Sequence, residues 1–340
     1  MKLGEIARES RETYSGDKTG IPIVGLEHLV SQELRFTDYD IDTDNTFTKR
    51  FHKGQILFGR RRAYLKKAAI ADFDGICSGD ITVIEAIPGK VDPMLLPFII
   101  QNDRLFDYAI SHSAGGLSPR VKWADLADYE FDLPSLEEQR RLADKLWAAY
   151  ELKEAYKKMI AATDEMVKAQ FIEMFADVKT KKALCDICKP KQWPTIPTSS
   201  FTDNGYLVYG ANGIIGRYHE YNHEFATITI ACRGASCGAI NITSPQSYIT
   251  GNAMSLDYLS TDIEFDYLAY FLKCYDFRPI ISGGAQPQIT NTNLKRVFVP
   301  IPDIKRQQLF SIIIRQANQT TSELRQAIEK IDRVMKSLMQ

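Results

Sequence analysis

The feature that most constrains this chain is an internal repeat. A Gly-Gly-x-x-Pro turn begins at Gly115 and recurs 168 residues later at Gly283. The same offset continues without a gap through three further pairs, Leu126/Leu294, Pro134/Pro302 and Gln139/Gln307. Two modules of nearly equal length therefore predict two similar folds that contact two similar partners at a set distance.

The repeat extends towards the N-terminus with a slightly different offset. An offset of 172 relates the pairs Ile56/Ile228, Arg61/Arg233, Ala63/Ala235, Gly79/Gly251, Asp92/Glu264 and Phe98/Tyr270. Residues 3–6 lie opposite residues 184–187, which is a short match. Each copy mixes strand-like segments, near residues 55–58, 81–87, 131, 227–230 and 299, with helix-like segments at 92–108 and 264–277. The sequence thus predicts an α+β module twice.

After Pro134 and Pro302 the pattern becomes helical, because no Pro or Gly occurs at 136–175 or 304–340. Ser135 and Glu138 form a capping-box pattern, and Asp303 stands where an N-cap belongs. The apolar seam predicted for the second helix is Phe310, Ile313, Ala317, Thr320, Leu324, Ala327, Ile331, Val334 and Leu338. The equivalent seam of the first helix is looser: Leu142, Lys145, Ala149, Leu152, Tyr156, Met159, Thr163, Met166 and Gln170, supplemented by Leu146, Ile160 and Val167.

A helix of about 40 residues is roughly 60 Å long. Packing the second helix back along the first gives two α+β modules joined by two long antiparallel coiled-coil helices, with a pseudo-twofold internal repeat. The alternative is that the helices mediate homodimerisation. The predicted segments are a first recognition module at 1–134, a central helix at 135–176, a second module at 177–302 and a C-terminal helix at 303–340.

Composition sets the broad class of protein. The 340 residues suffice for two domains, and the formal net charge of −1 argues against a generally basic nucleic-acid coat while leaving room for local basic patches. No apolar run approaches the roughly 18 residues of a membrane span. The charged start of the chain does not fit a signal peptide, so we expect a cytoplasmic protein whose six cysteines are reduced thiols.

Patterns that carry catalysis or metal binding are scarce. The glycines at 210–216 have the wrong spacing for a dinucleotide fingerprint, and residues 16–19 lack the glycine that a phosphate-binding loop needs before its lysine. A zinc site drawn from Cys185, Cys188, Cys232 and Cys237 has no counterpart in the first copy, which favours buried free thiols. Among the five histidines only His219 and His223 have a ligand-like spacing.

Binding features are better represented. Residues 60–67 hold five cations beside a tyrosine, a composition that suits phosphate neutralisation, and arginine also reads guanine edges. The candidate DNA-binding residues of the first copy are Arg60, Arg61, Arg62, Tyr64, Lys66, Lys67, Arg120 and Lys122. Those of the second copy are Asn212, Arg217, Tyr218, Arg233, Gln286, Gln288, Asn291 and Asn293. The alternative interpretation is a solvated strand face and polar turns.

With these motifs the chain resembles the DNA-specificity subunit of type I restriction-modification systems over essentially its whole length. The motifs are Leu-Pro-x-x-x-Glu-Glu-Gln-Arg from Leu133, Ile-Pro-x-x-x-Lys-Arg-Gln from Ile301, the two Gly-Gly-x-x-Pro turns, and Ala-Cys-Arg-Gly from Ala231 followed by Gly251 and Asn252. The resemblance implies a non-catalytic subunit whose two modules each read one half of a split site in double-stranded DNA, while the helices set the gap.

The same resemblance implies partners. Two methyltransferase subunits and, optionally, ATP-dependent motor-nuclease subunits would dock on the chain, and S-adenosylmethionine, ATP and magnesium would belong to those partners. The bases that are read do not follow from the resemblance. Two other classes of protein remain: a symmetric coiled-coil scaffold that binds proteins without a DNA role, and a self-sufficient nuclease or methylase, for which the sequence lacks motifs.

Overall fold

The computed structural model describes residues 1–284 and 286–339. Ala285 of the second Gly-Gly turn and Gln340 of the last predicted segment therefore lie outside the described residues. The chain divides into two units: Met1–Lys157 with the segment that begins at Gln326, and Lys158–Arg325. Because this division crosses both long helices, it does not test the four-segment boundaries, which stay predictions.

The first unit contains two small sheets and a group of helices. Its strands are β1 Ala7–Glu9, β2 Ile23–Val24, β3 Lys49–Phe51, β4 Ile56–Gly59, β5 Ala68–Ile70, β6 Gly75–Cys77 and β7 Ile81–Ala86. They form sheets of order β1-β7-β4-β5 and β2-β6-β3. Its helices are α1 Leu96–Ile100, α2 Asp103–Ser111, α3 Trp123–Ala127 and the first part of α4 Leu136–Phe175. Apolar residues of β4, α1, α2 and α4 share one core.

The second unit repeats this plan. Its strands are β8 Lys181–Ala183, β9 Lys189–Gln192, β10 Tyr206–Gly210, β11 Gly213–Tyr218, β12 Ile228–Ala231, β13 Ile240–Ile242, β14 Ser247–Ile249, β15 Ala253–Asp257 and β16 Phe298–Pro300. They form sheets of order β13-β12-β15-β9, β11-β10-β14 and β16-β8. Its helices are α5 Leu184–Ile187, α6 Phe265–Cys274, α7 Asn291–Leu294 and the first part of α8 Ile304–Leu338. The remainder of α4 also belongs to this unit, and the remainder of α8 belongs to the first unit.

The two main sheets share one register, which confirms the repeat. Leu57 of β4 lies opposite Val83 and Ala69. Thr229 of β12 lies opposite Ser255 and Asn241, which are the same positions shifted by 172. The sequence offset therefore carries over into strand pairing, since a slip of one residue would turn every side chain to the other face of the sheet.

The short N-terminal match is also structural. The Leu3 amide donates to Tyr129 O at 2.9 Å, and the Leu184 amide donates to Val297 O at 2.8 Å. The sequence predicts a strand in both copies after these contacts, and only the second forms it, as β16 with β8. In the first copy the pairing consists of the bridge between Lys2 and Glu130 and the bonds of Met1 to Phe131.

One predicted helix, at 92–108, is wrong in its extent. The structure has two helices there, α1 and α2, separated at Gln101 and Asn102. The Asn102 side chain accepts a hydrogen bond from the Arg104 amide at 2.9 Å, and Gln101 donates to Glu33 O at 2.9 Å. An Asn that caps a new helix stabilises the break, because its carbonyl oxygen replaces a missing main-chain acceptor.

The two long helices form as predicted, and both begin at the expected caps. The Ser135 amide donates to Glu138 Oε2 at 3.1 Å, and the Lys305 amide donates to Asp303 Oδ1 at 2.9 Å. The helices contact each other within the chain. In the second unit the rings of Phe175 and Phe310 are 5.4 Å apart, and in the first unit Lys153 Nζ lies 2.7 Å from Asp332 Oδ1. The end of α4 thus meets the start of α8, which is the antiparallel pairing.

One position of the predicted α8 seam is wrong. Val334 is 55% exposed and Met335 beside it is half-buried, whereas the other eight predicted positions are buried or half-buried. In α4 four predicted positions, Lys145, Leu152, Met159 and Met166, are exposed, while Leu146 and Val167, predicted as supplementary positions, are buried. Spacings of three-then-four and four-then-three residues differ little in sequence, and packing decides between them.

A buried glutamine ties each long helix to its unit. Gln139 Oε1 accepts from the Asp92 amide at 2.9 Å, and its Nε2 donates to Pro134 O at 2.8 Å. Gln307 repeats both contacts, accepting from the Glu264 amide at 2.9 Å and donating to Pro302 O at 2.9 Å. The repeated glutamine is therefore explained by main-chain groups that would otherwise be buried without a partner.

Replacing Gln307 by alanine is expected to lower the free energy of unfolding by about 3 kcal/mol, because buried main-chain groups lose their partner. The neighbouring exposed Gln308 is the matched control, and Gln308→Ala should change stability by less than about 0.5 kcal/mol. Denaturant titration with hydrogen exchange at the Glu264 amide measures both effects. Equal stability of the two variants would contradict this role for Gln307.

Candidate nucleic-acid interface

The Gly-Gly turn of the first unit belongs to a closed loop. We call residues 114–120 the first glycine loop. The Arg120 amide donates to Ala114 O at 2.9 Å, and the Ala114 amide donates to Arg120 O at 3.0 Å. The segment that follows β4 lies against this loop, since the Arg62 amide donates to Pro119 O at 2.8 Å and the Val121 amide donates to Arg60 O at 3.0 Å. The main chain thus brings together two stretches of candidate residues that are far apart in sequence.

The second unit has the same main-chain arrangement. We call residues 282–288 the second glycine loop. It is closed by the Gln288 amide bonding to Ser282 O at 2.7 Å and the Ser282 amide bonding to Gln288 O at 2.9 Å. The Gly234 amide donates to Pro287 O at 3.1 Å, and Ile289 donates to Cys232 O at 3.0 Å. Each of these bonds joins the counterparts of residues that are bonded in the first unit.

A carboxylate holds two of the candidate arginines in the first unit. Asp80 Oδ1 is 2.7 Å from Arg120 Nε, and Asp80 Oδ2 is 3.3 Å from Arg61 Nη1. Arg61 Nη2 also donates to Ser118 Oγ of the first glycine loop at 3.0 Å. Burial raises the pKa of Asp80, but the hydrogen bonds and charges of Arg120 and Arg61 outweigh it and leave this pKa below its ordinary value. Asp80 is therefore ionised, and it positions both arginines while offsetting part of their charge.

The other cationic residues between 60 and 67 differ in their hydrogen bonds and ion pairs. Lys66 Nζ is 2.6 Å from Asp103 Oδ1, and Lys67 Nζ donates to Leu26 O at 2.7 Å, so both serve the fold of the unit. Arg60 is half-buried and Lys122 is exposed. Arg62 and Tyr64 are exposed, and neither side chain has a hydrogen bond to any residue that the structure describes. Arg61, Arg62, Tyr64, Arg120 and Lys122 are thus the strongest candidates of this unit.

The two copies place different residues at one left-handed backbone position, Arg62 in the first and Gly234 in the second. Arg62 has φ +55°, and its counterpart in the second unit is Gly234, with φ +83°. Glycine adopts this conformation without strain, whereas arginine does not. The first unit therefore keeps a cationic side chain at a position whose backbone favours glycine.

The second unit offers fewer charges at the equivalent surface. Arg233 is exposed, and among the described residues it has no ion pair. Asn252 stands where the first unit has Asp80, and the Cys232 amide bonds to Asn252 O at 3.1 Å, as the Arg60 amide bonds to Asp80 O at 3.0 Å. The Gln286 side chain is exposed and that of Gln288 is half-buried. This surface can therefore donate and accept hydrogen bonds with little electrostatic attraction.

The candidates Asn291 and Asn293 lie in the short helix α7. Asn291 is exposed at its first position. Asn293 Oδ1 accepts from the Thr290 amide at 2.9 Å, which completes a capping box, and Asp125 accepts from the Lys122 amide at the equivalent place in the first unit. The oxygen of Asn293 is thus committed to the fold, and only its Nδ2 group remains for another partner.

The remaining candidates lie on the hairpin of β10 and β11. Asn212 is exposed in its turn, and Arg217 Nη1 donates to Gly205 O at 2.8 Å. The Tyr218 and Tyr248 rings are 5.4 Å apart, and Tyr248 donates to Pro194 O at 3.3 Å. Gln192 donates to Gly251 O at 3.1 Å, next to Cys232. The segment 192–194 therefore contacts both the base of this hairpin and the residues beside the second glycine loop. None of these contacts places the tip of the hairpin next to that loop.

Sequence reasoning missed Asp80 and Ser118. A signal for Asp80 was present, because the pairing of Gly79 with Gly251 places an acidic residue opposite Asn252. Its role depends on the arginine of a distant loop, which no local pattern reveals. Ser118 lies inside the Gly-Gly turn, where a serine is also an ordinary turn residue.

The structure bears on the predictions made for the cysteines and for membrane spans. Cys188 and Cys232 are buried, and burial raises the pKa of the Cys188 thiol to about 12. Cys185 and Cys237 are only half-buried and Cys274 is exposed, so burial of the thiols holds for some and not for all. Among the described residues there is no group of three or more His, Cys, Asp or Glu suited to a metal ion.

No described helix is long and apolar enough to cross a membrane.

Comparisons with known proteins agree on one family. The family model described as the type I restriction modification DNA specificity domain matches residues 2–161 and 177–333. A segment of 110 residues is 27% identical to the specificity subunit of the type I restriction enzyme EcoDI of Escherichia coli, covering 32% of this chain and 24% of that protein. A segment of 132 residues is 26% identical to the EcoprrI specificity subunit of the same organism, covering 39% and 32% respectively. These matches span only about a quarter to a third of the relatives' length.

Solved structures share the fold. The S subunit of a type I restriction-modification system from M. genitalium aligns with a TM-score of 0.70 at 16% identity, covering 99% of this chain and 95% of the other. A chain from a study of complex assembly and conformational transition in a type I R-M system aligns with a TM-score of 0.56 at 20% identity, with the same coverage.

Proposed function

Because this chain belongs to the family of type I restriction-modification DNA specificity domains, we propose that it is a specificity subunit that binds double-stranded DNA at a split site. Each unit reads one half of the site. The contacts are made by the glycine loop of the unit and by the segment paired with it. The chain itself is non-catalytic.

The observation that carries this proposal is a shared main-chain arrangement with different side chains. Both units close the same loop and pair it with the same segment, in the same register. Equivalent positions on this surface nevertheless differ, in the pairs Arg60/Cys232, Asp80/Asn252, Arg120/Gln288 and Lys122/Thr290. A constant backbone with variable polar side chains suits the reading of two different base sequences, because phosphate contacts position a protein and base contacts specify the site.

We further propose that α4 docks the methyltransferase subunits. The residues that were predicted for its seam form an exposed apolar stripe: Leu152 is 44% exposed, Met159 51% and Met166 49%. They are seven residues apart and therefore lie along one face of the helix. A stripe of this spacing fits the apolar face of a partner helix, and methionine adapts well to such contacts. Two methyltransferase subunits and, optionally, motor-nuclease subunits would bind the chain, and would hold S-adenosylmethionine, ATP and magnesium.

Replacing Met159 and Met166 by glutamine is expected to weaken binding of the methyltransferase subunit at least tenfold, because two buried apolar side chains contribute about 1.5–3 kcal/mol each. Glutamine keeps helix propensity. The matched control is Lys158→Gln with Glu165→Gln, which changes two exposed residues of the same helix at the same spacing without altering net charge. Titration calorimetry without DNA measures both. If the two double variants bind alike, this stripe is not the docking face; self-association abolished only by the methionine variant would instead favour homodimerisation.

A salt-dependent mobility shift tests the proposed function as a whole. The chain with its methyltransferase subunit is expected to bind DNA containing its site much more tightly than scrambled DNA, with an affinity that falls as salt rises. Absence of sequence-selective binding would reject the DNA role and favour a protein-binding scaffold.

A further inference from the structure

One apolar side chain projects from the candidate interface of the first unit. Leu117 is 98% exposed, which is more than any other large apolar residue that the structure describes. Single exposed apolar residues are common on protein surfaces. The position of this one distinguishes it, since it lies in the first glycine loop beside Ser118, whose hydroxyl accepts from Arg61.

The loop that carries Leu117 is fixed on both sides. The bonds between Ala114 and Arg120 close it at its base, and Pro119 O accepts from the Arg62 amide. Arg61 in turn is held by Asp80. Leu117 is therefore presented to solvent by an anchored loop, and its exposure does not come from a chain end.

The surroundings of the leucine are cationic. Arg120 is the last residue of the loop, and Asp80 pairs with both Arg120 and Arg61. Arg62 and Lys122 are exposed on the segments adjoining the loop. A surface of this charge attracts the DNA backbone and brings the loop close to the grooves. Gly115 and Gly116 carry no side chain, so the loop can approach a groove closely before Leu117 meets a base.

The second copy provides an internal comparison in the sequence. The residue at the position of Leu117 in the second glycine loop is Ala285, which lies outside the described residues. The sequence thus retains the glycines and the proline of the turn in both copies and changes the two residues between them, Leu117 to Ala285 and Ser118 to Gln286. A change at these positions is expected if they contribute to what each loop reads.

We propose that Leu117 makes an apolar contact with a base of the half-site read by the first unit, and so contributes to sequence selectivity. This proposal rests on the proposed function. The contacted group is either the C5-methyl of a thymine in the major groove or the face of a base at an opened step. Both are apolar surfaces of DNA that proteins contact with apolar side chains, and leucine is among the side chains that insert at opened steps.

The test compares Leu117→Ala, which copies the second loop, with Val30→Ala, a change at another exposed apolar residue of the same unit. Both are assayed as complexes with the methyltransferase subunits on DNA with the mapped site. Leu117→Ala should weaken binding to the site about tenfold, since a lost base contact reduces discrimination while phosphate contacts remain. Binding to scrambled DNA and the salt dependence should not change. The control should bind as the wild type does.

Two further arms identify the contacted group. If it is a thymine methyl, uracil in place of one thymine should weaken wild-type binding and leave Leu117→Ala unaffected. If it is an opened step, 2-aminopurine at that step should brighten on binding wild type but not the variant. Unchanged selectivity of Leu117→Ala, or a loss to which neither arm responds, would overturn the proposal and leave the proposed function intact. Absence of selective binding by the wild type would instead reject the function itself.

Discussion

Replacing Arg60 and Arg61 together by alanine is expected to weaken DNA binding strongly and to reduce its salt dependence. Each phosphate contact that is lost lowers the slope of log affinity against log salt concentration by about 0.9. If both arginines contact phosphates, the slope therefore falls by about 2. If Arg61 reads a base, its loss costs about 1–3 kcal/mol on the specific site and little on scrambled DNA.

The structure explains why Arg61 should have the larger share of this effect. Its guanidinium group is oriented by Asp80 at 3.3 Å and by Ser118 at 3.0 Å, so little conformational freedom is lost when DNA binds. The Asp80→Asn variant should change the affinity for DNA in the opposite direction. It copies Asn252 of the second unit and removes a negative charge next to two arginines, so it should increase affinity for scrambled DNA.

A charge-matched control separates site effects from net charge. Arg8 and Arg11 lie in the first unit outside the candidate interface and are paired with Glu85 and Glu9. Their double alanine variant loses the same two charges and should keep nearly all of the affinity. If it behaves like the Arg60 and Arg61 variant, or if the latter has unchanged affinity and slope, the interface around the first glycine loop is not a DNA contact surface.

Inserting four residues into α4 is expected to lengthen the gap between the two recognised half-sites. Four residues add about 6 Å of helix, and at 3.4 Å per base pair this corresponds to roughly two base pairs. Four residues are also close to one helical turn, so the apolar face keeps nearly its orientation. The expected phenotype is a new methylation motif with the same half-sites and a longer gap.

The insertion has a matched control in a turn. The same four residues placed after Gly89, whose backbone is left-handed in the turn that follows β7, should leave the gap unchanged. Sequencing of methylated DNA from cells that express each variant gives the gap directly. An unchanged gap in the α4 variant would contradict the idea that the helices set the spacing.

The repeat made much of the fold predictable. The sequence offsets relate Arg61 to Arg233 and Arg120 to Gln288. The structure forms the same β-bridge in both copies, between Arg61 and Arg120 and between Arg233 and Gln288. The tie between Gln139 and Asp92 recurs in the second unit at the positions that the offsets relate, Gln307 and Glu264. Duplication preserves register because the same buried positions must face the same core, so a pattern that recurs in sequence recurs in contacts.

Side-chain partners and the exact helix face were less predictable. The exposure of the predicted seam residues Val334 and Leu152 depends on which face of each helix packs against the other helix. The ion pair between Asp80 and Arg120 depends on a loop 40 residues away in the sequence. The side-chain oxygen of Asn293, a residue predicted to pair with adenine, is instead occupied by its capping bond with the Thr290 amide. These features arise from tertiary packing, on which local propensity has little influence.

The central claim is that two similar units read two halves of one DNA site. Methylome sequencing of cells that express this chain with its methyltransferase subunits tests it most directly. We expect one bipartite motif, in which two different half-sites are separated by a fixed number of unspecified base pairs. A single uninterrupted motif, or methylation without sequence preference, would contradict it.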